Sequence, residues 1–140
     1  MTSWWLDNGG QGQSQAVQSD LQALGQDTGT VGTDLSNGEN ASQAEAAVQS
    51  EAATLQSDVQ ASLANLPPSC AARLRADLHA ALTDASKGAQ DCLNLISATS
   101  SGDTNAADSD TSVLIAALKA GSSEYQAATR AVQQFFAGNG

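Results

Sequence analysis

Apolar residues return at alternating steps of four and three along nearly the whole chain, and few folds accept that rhythm. Val17, Leu21, Leu24, Thr28, Val31 and Leu35 form one seam. Ala44, Val48, Ala52, Leu55, Val59, Leu63 and Leu66 form a second in a different phase. Leu74, Leu78, Ala81, Ala85, Gly88 and Cys92 form a third, with Leu95 and Ile96 beyond. Ala106, Val113, Ala117, Gly121, Ala128, Val132 and Phe135 give a fourth. Such a repeat belongs to helices packed side by side. With aromatic residues at only 4%, the chain also lacks the side chains that favour a sheet.

The breaks between seams carry their own chemistry. Asn37-Gly38 suits the left-handed conformation of a helix C-terminus. Pro67-Pro68 ends one helix and can open the next, where a missing N–H is tolerated. Ser100-Ser101-Gly102-Asp103 reads as a turn, with Asp103 as an N-cap. The pattern predicts helices over 13–36, 40–65, 68–99 and 103–136, in a single domain spanning 1–140 with residues 1–12 as a flexible tail. The expected fold is all-α, an up-down-up-down four-helix bundle of long antiparallel helices. Its rival is a pair of splayed hairpins that complete their cores by dimerising. Gly25, Gly29 and Gly32 each weaken the first helix by about 1 kcal/mol relative to Ala, so tertiary packing must hold it. Gly88 and Gly121 sit in seam positions; either they let two backbones approach, or one of them kinks its helix.

Charge is uneven. The net charge is −10, residues 1–66 contain no Lys or Arg, and all five cations (Arg73, Arg75, Lys87, Lys119, Arg130) follow. Such a field repels phosphate backbones, so nucleic acid is excluded as a partner. No apolar run is long enough for a transmembrane segment. Nor does a basic stretch precede an apolar one, so the sequence shows no signal peptide.

Carboxylates stand one residue ahead of seam positions every seven residues: Asp20, Asp27 and Asp34; Glu51 and Asp58; Asp77, Asp84 and Asp91; Asp103, Asp110 and Glu124. Each set runs along one edge of a helix, as flanking positions of a coiled coil do. They read as solvated flanks, or else as weak divalent-cation sites or a surface for a basic partner. Neighbours within a stripe are about 10 Å apart, so one stripe alone cannot chelate an ion, whereas two facing stripes could. The first two helices carry only acidic charge, and side by side they should repel at neutral pH.

Residues for catalysis are scarce. His79 is the only histidine, which excludes a multi-His metal site, and it reads as a surface residue. Met1 is the only Met, and no Cys-x-x-Cys-His motif supports a haem. Phosphate loops, Glu-x-x-His pairs and Ser/His/Asp sets are absent, so catalytic, metal and cofactor assignments are all none, and the expectation is a non-enzyme. Cys70 and Cys92 are 22 residues apart, about 33 Å along a continuous helix, beyond disulfide reach unless that helix breaks near Ser86-Lys87-Gly88 or the bridge joins two chains. Trp4 and Trp5 in a Gly-flanked tail either fold back to cap an open bundle end or stand out as an anchor for a partner or a membrane interface. Phe135 and Phe136 can meet them, because an even number of helices brings both termini to one end. These four are the candidate partner-binding residues.

Leu66-Pro67-Pro68-Ser69-Cys70, Ala80-Ala81-Leu82, Gly88-Ala89-Gln90-Asp91-Cys92, Gly102-Asp103 and Leu118-Lys119-Ala120-Gly121 resemble uncharacterised exported or lipoprotein-type helical proteins of actinobacteria. The match covers about half of the chain at pattern level. It implies an extracytoplasmic helical bundle of unassigned function, in a compartment where a disulfide would be favoured; the leading expectation is that it acts by binding a partner or ligand. The first two helices are also similar to the helical-hairpin substrates of the type VII (ESX) secretion pathway. That likeness implies a helical dimer, though the turn reads Ser36-Asn37-Gly38 and Thr129 stands where the export signal after Tyr125 has an acid. A small-molecule or metal carrier is a third expectation.

Overall fold

The computed structural model describes residues 2–101 and 104–138, with side chains for 4–101 and 111–138. Among them every regular element is helical: α1 (Thr2–Leu6), α2 (Gly10–Asn37), α3 (Ser42–Ala64), a 3-10 turn (Ser69–Ala71), α4 (Ala72–Ser100) and α5 (Thr104–Gly138). Packing runs from neighbour to neighbour: α2 on α3, α3 on α4, α4 on α5, and α5 back onto α2. The splayed-hairpin shape is therefore not found, because each hairpin buries its seam against the other.

The seams of the first three long helices are buried along most of their length, with Leu35, Leu63, Leu66, Leu74 and Gly88 half-buried. Val17, Leu24, Val31, Val48, Ala52, Leu55, Val59 and Cys92 are fully enclosed, as are Leu82 and Ala89 beside the third seam. In α5 Val132 is buried as expected, but elsewhere the expected phase is one residue out. Val113 is 68% exposed and Ala117 is exposed, while Leu114, Leu118, Tyr125, Val132 and Phe136 point inward. One residue is a rotation of about 100°, and it exchanges a Val and an Ala for two Leu and a Tyr, which remove more apolar area from water.

Helix ends follow local chemistry. Gly38 adopts φ +71°, and the Gly38 and Glu39 N–H groups bond back to Leu35 (3.1 Å) and Asp34 (2.8 Å), closing α2. Asn40 accepts the Ser42 N–H at 2.9 Å at the start of α3. Pro68 is extended (φ −54°, ψ 153°), so α4 does not begin at residue 68; the 3-10 turn intervenes and α4 starts at Ala72. The Arg75 guanidinium donates to Pro67 O at 2.8 Å and ties that loop to α4. α4 then runs unbroken to Ser100, through Ser86-Lys87-Gly88. The turn residues Gly102 and Asp103, the cap assigned to Asp103, and the side chains of Ala106 and Asp110 lie outside the described residues, as does Met1.

Residues 2–12 depart from the flexible tail expected of residues 1–12. Thr2–Leu6 form a helical turn, Gly9 (φ +83°) reverses the chain, and α2 starts at Gly10, three residues early. Two buried indoles supply the driving force, since each removes a large apolar area from water.

Candidate functional site

Trp4 and Trp5 are 6% and 7% exposed. The Trp4 ring lies 5.8 Å from Trp5 and 5.7 Å from Phe136, centroid to centroid, and Phe135 meets Phe136 edge-on at 5.3 Å. The indole Nε1–H donates to Asn65 O at 3.0 Å, and the Asn65 amide in turn donates to Asn8 O (2.7 Å) and Gln13 Oε1 (2.9 Å). Gly10 makes room: a Cβ there would sit 3.1 Å from the Trp4 ring. The structure thus joins all four candidate residues into one aromatic closure over the end of the molecule. An anchor reading needs accessible rings, whereas these indoles face inward. Asn65, which the sequence did not single out, organises the closure; only its place beside Pro67-Pro68 hinted at a turn.

Two acidic stripes meet across α2 and α3. The Gln13–Asn65 contact sets their register. Seven residues up α2 and seven down α3, about 10 Å along both axes, Asp20 stands level with Asp58, and Glu51 acts on it from further along α3. Asp20 is 8% exposed and its Oδ2 is buried without a hydrogen-bond donor. Burial, first, and then Asp58 and Glu51 push its pKa from 3.8 up to about 6. Among the described residues no three His, Cys, Asp or Glu side chains are grouped to hold a metal ion.

The third stripe has a different setting. Asp77, Asp84 and Asp91 of α4 border three adjoining hollows of about 390, 260 and 300 Å³ along the line where α4 meets α5. Small residues make the floor, among them Ala81, Ala85, Gly88 and Ala117. Glu124 adds an acid from α5, Lys87 is the one cation bordering these hollows, and exposed Val113 closes one end. The two seam glycines do not bring backbones together. Gly88 receives the Leu118 side chain, whose Cδ2 lies 3.1 Å from where a Cβ would be, whereas nothing lies within 4 Å at Gly121. Both border the middle hollow.

The remaining reactive groups stand apart. His79 is exposed on α4. Cys70 is exposed and Cys92 buried, with no bond between them, as an unbroken α4 demands. The Cys92 thiol lies 3.7 Å from the Thr28 hydroxyl, and burial pushes its pKa up to about 11. Near the aromatic end, the hydroxyls of Ser62, Tyr125 and Thr129 are buried without hydrogen-bond partners. Burial raises the Tyr125 pKa, an effect that the neighbouring Ser14 and Thr129 hydroxyls oppose. No described helix is long and apolar enough to cross a membrane. Comparison with protein-family models, with curated proteins and with solved structures finds no match to this chain.

Proposed function

We propose that this chain is an exported, non-enzymatic bundle whose four long helices run up-down-up-down, and that it acts by holding a basic helical segment of a partner protein in the α4–α5 groove. The observation that carries this reading is the acidic stripe Asp77, Asp84 and Asp91 along a groove floored by small residues. A floor of Ala and Gly admits a helix at close range, and carboxylates spaced about 10 Å apart match Lys or Arg on every second turn of it. The strong negative charge would steer such a partner and repel nucleic acid. The extracytoplasmic placement rests on the resemblance to exported actinobacterial proteins.

The test is titration of the protein with a fluorescent amphipathic peptide carrying heptad-spaced Lys on an Ala/Leu face, beside its Glu-for-Lys counterpart. Only the basic peptide should bind, more weakly as salt rises, and D77N/D84N/D91N should lose most of the affinity. Equal binding of both peptides, or an unaffected triple variant, would refute the groove as the site.

A further inference from the structure

We propose that the α2–α3 hairpin carries a proton-operated clasp, in which Asp20 and Asp58 share one proton across the helix interface and repel when it is lost. Asp20 projects from α2 into the packed interface, is 8% exposed, and leaves Oδ2 buried without a donor. A carboxylate so placed has an uncompensated charge, whereas a carboxylic acid can donate across to Asp58. The register places Asp58 on that level, on the adjoining helix. The proton comes from solvent and returns to it, with no other bond made or broken.

Among the described residues no cation contributes to the shift of Asp20. From α3, Asp58 and then Glu51 act on Asp20, both against its ionisation. α1 carries no titratable side chain. Lys87, Asp84 and Asp91 from α4, and Glu124 from α5, share a hollow with Leu21. Lys119 of α5 shares another with Leu21 and Gln22. None of these five figures among the causes that shift Asp20.

The sign follows from linkage. The folded chain holds the proton up to about pH 6, whereas the unfolded Asp releases it near 3.8. Folding therefore takes up a proton between those limits, and stability falls as pH rises through that window. The hairpin is tightest in mild acid and looser at neutral pH.

The test is thermal unfolding of the full chain at about pH 5 and about pH 8, in about 1 M salt so that long-range repulsion is screened. Native protein, D20N and D58N are compared with E39Q, which removes an exposed charge of the same sign away from the interface. The native midpoint should fall on going to pH 8. D20N and D58N should flatten that slope and exceed the native midpoint at pH 8, while E39Q keeps the native slope. A flat or rising native profile, or a D20N slope equal to that of E39Q, would overturn the proposal. A carboxyl carbon NMR titration of the native chain reads the same point without a variant: a midpoint about 6 for Asp20 supports the clasp, and one near 3.8 overturns it.

Discussion

The pair α2–α3 and the pair α4–α5 follow the same heptad grammar yet are held by different means. The first is wholly acidic, turns a carboxyl into its interface, and carries Gly25, Gly29 and Gly32 in α2. It is fastened at its open end by hydrogen bonds through Asn65. The second carries Lys87, Lys119 and Arg130 among its acids, keeps its carboxylates along the groove rather than inside it, and fills Gly88 with Leu118. The same spacing of acids thus produces a buried, proton-dependent contact in one pair and an accessible edge in the other. What decides is whether the carboxylate faces another carboxylate across the seam.

The largest expected effect comes from removing the aromatic closure that both pairs share. Trp4 touches Phe136 of α5 and bonds to Asn65 beyond α3, so Trp4→Ala should cost about 3–5 kcal/mol. The urea midpoint reads that loss; a transition at the native midpoint would break the comparison. Next, Asp20→Asn should stabilise the first pair at pH 8 by on the order of 3 kcal/mol, the energy of the shift from 3.8 to about 6, and by about half as much at pH 5, which lies within that window. Denaturant midpoints at the two pH values check this.

The glycines of α2 sharpen the contrast at finer scale. At Gly32 a Cβ would stand 2.7 Å from Thr111 Cγ2, so Gly32→Ala should cost about 1 kcal/mol net, overpacking outweighing the gain in helix propensity. At Gly29 nothing lies within 4 Å, and Gly29→Ala should stabilise by about 0.5–1 kcal/mol. Opposite signs for two residues three apart would show that α2 approaches α5 closely at one level only. The smallest effect is expected at Tyr125→Phe, which removes a buried hydroxyl set against Ser14 and Thr129 without a well-formed hydrogen bond and should change stability by no more than about 1 kcal/mol. Thermal midpoints suffice for all three.

Much of the fold was legible because large residues mark their seams. Val17 to Leu35 and Val48 to Val59 have no competing phase, so periodicity alone placed their faces. In α5, two phases of similar apolar content compete, one through Val113 and Ala117 and one through Leu114 and Leu118; only the facing helices decide between them. The tail was misread for a related reason. Gly9, Gly10 and Gly12 look like a linker in isolation, yet Gly9 supplies a positive φ and Gly10 a seat for Trp4, roles that only a distant partner reveals. The acidic stripes were visible as a pattern. Which of them is buried was not, since that depends on a register set by Gln13 and Asn65, residues with no distinguishing spacing.

The two thiols have a consequence for measurement. Cys92 is enclosed against Thr28, and at neutral pH burial holds it almost wholly as the unreactive thiol, whereas Cys70 is exposed where the chain enters α4. An alkylating reagent added to the native protein should mark Cys70 within minutes and Cys92 only when the core opens. The delay between the two labels is a built-in clock: the first event counts molecules, and the second times each one's excursions from the folded state.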